Sequence, residues 1–101
     1  GKVVLITGGS SGIGLAAAER CADAGATVVI VARDPEKLEA ARARLAERGT
    51  VHAYECDISD AAACDGFAKR VLDAHGGVDF LVNNAGRSIR RSIDLSHDRF
   101  H

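Results

Sequence analysis

Thr7-Gly8-Gly9-Ser10-Ser11-Gly12-Ile13-Gly14 joins a run of β-branched residues to an alanine-rich segment with helical spacing. Glycines at such a turn let backbone N–H groups come close to an anion, and the start of a helix adds roughly half a positive charge. Ser10 and Ser11 place hydroxyl donors in the same loop. The chemistry this predicts is the holding of a phosphate. A glycine-rich turn also serves merely to let a helix pack closely on a strand, so its meaning depends on what lies at three other positions.

Ala32-Arg33 follows the turn at about the ~20-residue interval at which a strand–turn–helix nucleotide fold meets the ribose of adenosine. An acidic residue there would bind free ribose hydroxyls. A small residue followed by a guanidinium instead leaves room for a 2′-phosphate and offers it paired hydrogen bonds. This predicts NADP(H) in preference to NAD(H), with NAD(H) still admissible; an ordinary surface arginine is the plainer reading. Asp34 precedes Pro35, which suits it to capping a helix. Further on, Cys56-Asp57-Ile58 ends a third strand, where Asp57 either starts a turn or accepts a hydrogen bond from an adenine amino group. Asn83-Asn84-Ala85-Gly86 ends a fourth: the asparagines can bridge neighbouring backbone, while Ala85 and Gly86 leave space for a ring or a sugar.

The elements that would position these residues alternate. Strands are predicted over 3–7, 27–32, 51–56 and 78–83. Helices are predicted from Ile13 to Ala24, from Pro35 to about Arg48, and from near Asp60 to His75. Gly25, Gly49 and Gly76 close them. In the last helix Cys64, Phe67, Ala68, Val71 and Leu72 recur at the spacing of a single buried face. Strands alternating with helices of this length predict an α/β fold, a doubly wound parallel sheet with strand order 3-2-1-4. A fourth strand at the edge would be apolar and exposed, a hazard that further chain or a partner should cover.

Composition narrows the class. With 101 residues the chain is one domain at most, and a net charge of −1 gives it no overall pull toward nucleic acid or an anionic membrane. No apolar run is long enough for a transmembrane segment. The three cysteines, Cys21, Cys56 and Cys64, lack metal-ligand spacing and suit reduced thiols in the cytoplasm. His97 and His101 have helical spacing without a third ligand candidate, so no metal is expected. There is no methionine, and the last residues read as the opening of a helix, so residues 1–101 are expected to be part of a longer protein.

Taken together, Thr7 to Gly14, Asp57 and Asn83 to Gly86 resemble the glycine turn, the adenine-binding aspartate and the Asn-Asn-Ala-Gly motif of the short-chain dehydrogenase/reductase family, over nearly the whole chain. The resemblance implies the N-terminal part of a Rossmann fold whose parent protein passes hydride between NAD(P)(H) and a carbonyl or alcohol. It implies that Gly8, Gly12, Ile13 and Gly14 face the diphosphate, beside the hydroxyl donors Ser10 and Ser11 already read from the loop, and that Arg33 marks NADP preference. Asp57 with Ile58 would hold adenine, and Asn84, Ala85 and Gly86 would line the ribose and the nearby cleft. The family's catalytic Tyr and Lys, four residues apart, have no counterpart here: the one tyrosine is Tyr54, and no lysine follows it at that distance. The segment Arg87-Ser88-Ile89-Arg90-Arg91-Ser92 and the residues after it are similar to bacterial long-chain acyl or β-keto-ester reductases. This implies a small carbonyl or alcohol substrate of acyl or lipid-like kind, although a solvated loop explains the arginines as well. The resemblance also implies a homodimer or homotetramer. A non-catalytic NADP(H)-sensing module is the alternative, and a methyltransferase is disfavoured by Ala32-Arg33.

Overall fold

The computed structural model describes residues 2–8, 10 and 12–82. β-Branched and aliphatic side chains crowd the sequence of β1 (Val3–Thr7) and β2 (Thr27–Ala32), which suits them to a pleated strand buried on both faces. Between them runs α1 (Gly12–Asp23), followed after β2 by α2 (Pro35–Ala46), β3 (Val51–Glu55), α3 (Ala61–His75) and β4 (Phe80–Val82). All strand pairs are parallel, in the order β3-β2-β1-β4. Leu5 stands opposite Val29 on one side and Leu81 on the other, while Ile30 stands opposite Ala53.

The two-residue period of the strands divides the core. Val4, Ile6, Val28 and Ile30 pack with Ala18 and Ala22 of α1 and with Leu38, Ala41 and Leu45 of α2. Leu5, Val29 and Val31 turn to the other face and meet Cys64, Phe67, Ala68 and Val71 of α3. Helices therefore cover both faces of the sheet, as the doubly wound expectation requires. On α1 the inward positions Gly14, Ala18 and Ala22 are all small, so the helix axis can approach the strands closely.

Local chemistry sets the boundaries. Asp34 caps α2 by accepting from the amides of Glu36 and Lys37 at 3.0 and 3.3 Å, with Pro35 at the first helical position. Asp60 does the same for α3 through Ala62 and Ala63. Gly25 and Gly76 leave their helices with φ of +89° and +76°, the left-handed conformation glycine adopts without strain.

Gly49 departs from the expectation for a helix-closing glycine. It is not left-handed, and α2 ends earlier, at Ala46, with Glu47 as a right-handed cap. What Gly49 provides is clearance: a Cβ there would stand 3.1 Å from the carbonyl oxygen of Ala22. β4 is also shorter than expected at its start, because Asp79 is used differently. Its amide donates to the Val3 carbonyl at 2.9 Å, and its carboxylate accepts from the Val3 amide at 2.7 Å. Asn83, expected to end that strand, lies outside the described residues. Phe80 on β4 is 58% exposed.

Candidate functional site

Parallel strands bring their carboxyl ends to one rim. There β1 runs into Gly8, β2 into Arg33 and β3 into Cys56. The Gly8 amide donates to the Val31 carbonyl at 3.0 Å and the Cys56 amide to the Ala32 carbonyl at 3.0 Å, so these first turn residues are tied to the neighbouring strand. Gly8 has φ of +68° and Gly12 has φ of +59°, values that admit a side chain only with strain. Among the described residues, no atom outside the turn itself and its helix lies within 4 Å of where a Cβ on Gly12 would stand.

A cleft of about 450 Å³ opens on this rim. It is lined by Gly8 and Ser10 from the first turn, by Arg33 from the end of β2, and by Asp57 and Ile58 after β3. Five of the candidate cofactor-binding residues thus share one cavity although they lie up to 50 positions apart. Gly12 and Ile13 stand at the exposed start of α1, where Ile13 is 78% exposed. Gly14 is buried on the inward face of that helix and does not line the cleft. Ser11, Asn84, Ala85 and Gly86, and the whole segment 87–101 with its arginines and histidines, lie outside the described residues.

The two readings of Asp57 turn out to be compatible. One carboxylate oxygen, Oδ1, accepts from the Ser59 amide at 3.0 Å and from the Ser59 hydroxyl at 2.6 Å, which makes the turn. Among the described residues nothing donates to the other oxygen, which stays available as an acceptor. The Ser59 hydroxyl and amide hold the Asp57 carboxyl below the usual aspartate range, and the nearby Arg33 charge acts in the same direction. Burial pushes the Cys56 thiol upward, and the Asp57 charge adds to that effect. A protonated thiol at the cleft wall is a weak nucleophile.

Two further lining residues escaped the sequence reading. Ser59 follows Asp57 by two positions, the spacing of an Asx turn, which is a usable signal. Lys37 lines the cleft from the first turn of α2. Its signal was position, because the third helical residue after a capping Asp more often carries Glu or Gln.

Tyr54 has another place. Its hydroxyl lies 3.1 Å from His75 Nε2, and its ring packs edge-on against Phe67 with centroids 5.5 Å apart. The Arg70 guanidinium sits 5.4 Å from the ring centroid. Tyr54 is not among the residues lining the cleft. Among the described residues there is no cluster of three metal-ligating side chains, and no helix is long and apolar enough to cross a membrane.

What the cleft can do is hold an anionic, flat-ringed ligand, with the Ser10 hydroxyl, the Arg33 guanidinium and the Lys37 ammonium as donors and the Asp57 carboxylate as acceptor beside Ile58. Many known proteins are similar to this chain. Over residues 2–100 the chain matches the family model described as short chain dehydrogenase. It is 60% identical over its whole length to an uncharacterized oxidoreductase of Mycobacterium tuberculosis, covering 31% of that protein. It is 50% identical to a fatty acyl-CoA reductase of Acinetobacter baylyi, again over its whole length and covering 35% of that protein. The chain therefore spans about a third of the length of these relatives. Among solved structures, a metagenomic short-chain oxidoreductase in complex with NADP superposes with a TM-score of 0.80 at 46% identity, over 86% of this chain and 39% of that one. The chain belongs to the short chain dehydrogenase family.

Proposed function

We propose that residues 1–101 form the cofactor-binding portion of a longer, cytoplasmic, NADP(H)-dependent oxidoreductase that moves hydride between the nicotinamide and a carbonyl or alcohol substrate. The observation that carries this reading is the meeting of Arg33 and Asp57 in one cleft beside the Gly8 turn. The residues present fit the dinucleotide. The cleft has the size usual for a small-molecule site. Ser10, Ser11, Gly12 and Ile13 would meet the diphosphate through amides and hydroxyls; Gly8, whose amide is bonded to Val31, would let the diphosphate come close to the turn, and Gly14 would serve it indirectly by letting α1 lie close to the sheet. Arg33 would take the 2′-phosphate. Asp57, through its unshared oxygen, would accept from the adenine amino group, with Ile58 against the ring. Asn84, Ala85 and Gly86 would border the ribose. When bound, the cofactor supplies or accepts the hydride.

These residues bind and orient; none of them is a positioned proton donor for the substrate oxygen. Tyr54 is engaged with His75, so the general acid is assigned to the longer protein, and the isolated chain is expected to be inactive. An acyl or lipid-like substrate is supported by the similarity to a fatty acyl-CoA reductase. Assembly as a homodimer or homotetramer belongs to the same proposal.

The test is the pair of dissociation constants for NADPH and NADH, measured on the full-length protein at matched ionic strength. NADPH is expected to bind more tightly, and Arg33→Asp to weaken NADPH by tenfold or more, on the order expected for a charge-assisted pair turned repulsive, with a much smaller effect on NADH. Equal constants in the unmodified protein would overturn the cofactor assignment. Carbonyl-dependent NADPH oxidation by residues 1–101 alone would overturn the placement of the general acid.

A further inference from the structure

We infer that Lys37 is a second cation of the same subsite, forming with Arg33 a two-charge clamp for a phosphate monoester carried on the ribose of an adenosine ligand. The inference rests on the dinucleotide reading above and adds a specificity-determining residue to it.

Three observations carry it. Lys37 and Arg33 line the same cleft, from the first turn of α2 and the end of β2. The acidic groups beside them, Asp34 and Asp57, each turn one oxygen to donors of their own turns, the amides of Glu36 and Lys37 and the amide and hydroxyl of Ser59. Among the described residues, neither the Arg33 guanidinium nor the Lys37 ammonium makes a hydrogen bond or an ion pair with them or with another side chain. Finally, Lys37 stands where a lysine is unfavourable for the helix itself. The amino end of α2 carries the positive end of the helix dipole, which favours acidic side chains there and opposes a cation. Asp34 and Glu36 supply the acidic groups that this helix end favours, so a lysine adds nothing there and its place points to a role outside the helix.

The chemistry of the guest follows. A phosphate monoester carries close to two negative charges at neutral pH and three acceptor oxygens. A single guanidinium neutralises half of that charge. Its planar fork can engage two oxygens, while an ammonium on a flexible stem can reach the third as a point charge. The amides at the start of α2 are bonded to Asp34, so the helix end itself is closed to the phosphate and side chains must supply the contacts. A free ribose brings the two cations no negative charge of its own, and the clamp therefore discriminates against it.

The experiment uses the full-length protein, with 2′,5′-ADP and 5′-AMP as probes beside NADPH and NADH, read by calorimetric titration. Lys37→Gln is expected to weaken 2′,5′-ADP and NADPH about tenfold, the order of one exposed charge-assisted contact, and to leave 5′-AMP and NADH unchanged. Lys37→Arg should restore most of the loss. Thermal melting supplies a readout that a merely structural lysine would not give: removing the cation from the helix start should leave the melting temperature equal or higher while affinity falls. Unchanged binding of 2′,5′-ADP to Lys37→Gln, or equal losses for all four probes, overturns the clamp. If Lys37→Gln keeps full NADPH preference while Arg33→Gln loses it, the inference fails and the dinucleotide reading stands. Failure of the unmodified protein to distinguish 2′,5′-ADP from 5′-AMP defeats that underlying reading as well.

Discussion

Ser59 donates both its amide and its hydroxyl to the same oxygen of Asp57, at 3.0 and 2.6 Å. One side chain thereby builds a turn with one oxygen and keeps the second oxygen for the cleft. The charged form of Asp57 is favoured first by these bonds and then by Arg33, so its carboxyl stays ionised to lower pH than an ordinary aspartate. Ser59→Ala removes the shorter bond. The Asp57 titration, followed by carboxyl-carbon NMR, is expected to move upward toward the ordinary range, and any adenosine affinity that depends on the carboxylate should be lost at a higher pH as acid is added. A titration curve that overlays the unmodified one would show that Ser59 does not tune the group.

Two glycines should respond to alanine with opposite signs. At Gly49 the new methyl would stand 3.1 Å from the Ala22 carbonyl oxygen, a backbone atom, so the connection between α2 and β3 must shift away from α1 to admit it. The expected cost is about 1–3 kcal/mol, the range for overpacking. At Gly66, inside α3, the methyl would meet nothing within 4 Å. There alanine should stabilise by about 0.5–1 kcal/mol through helix propensity. Chemical denaturation of the two variants checks both values, and a stabilised Gly49→Ala would remove the clearance explanation.

These examples mark what was legible in the chain before its structure. The strands, their order and the meeting of Arg33 with Asp57 follow from local patterns: β-branched runs, helical periodicity, and the rule that parallel strands end on one rim. Gly49 was readable as punctuation but not as clearance, because its neighbour Ala22 belongs to another helix 27 positions away. Gly14 was grouped with the phosphate turn, yet its spacing with Ala18 and Ala22 already pointed to the inward helix face. Lys37 and Ser59 carry no local sign of a shared site, because only the folded cleft shows which polar residues face it together.

His75 makes stability depend on pH. Burial is the main influence lowering its proton affinity, and the neighbouring His52, with ring centroids 4.6 Å apart, lowers it further. Tyr54 bonds to His75 from β3, and Arg70 on α3 lies against the Tyr54 ring. The folded state holds this proton less tightly than the unfolded chain. As pH falls below about 6.5 the unfolded state therefore binds the proton first, and stability drops until folded His75 is itself protonated. The melting temperature is expected to decline through that window, and His75→Gln to flatten the decline. A profile unchanged by the substitution would assign the dependence to other groups.

Glu19 ties the helix that follows the glycine turn to the helix that carries Lys37. Its carboxylate, with a side chain only 17% exposed, pairs with Arg44 and Arg48 at 3.1 Å each. Arg48 also reaches Asp23 at 2.7 Å. Because one acid serves two arginines, the pairs should be coupled rather than additive. Glu19→Gln is expected to cost about 0.5–1 kcal/mol, the upper range for exposed pairs, since the network is held between two packed helices. Raising the salt concentration should shrink the loss, because the arginines remain largely solvated. No member of this network lines the cleft, so NADPH affinity measured well below the melting temperature should not change. A drop in affinity at full folding would mean that the placement of α2, and with it Arg33 and Lys37, depends on the clamp as well as on the core beneath it.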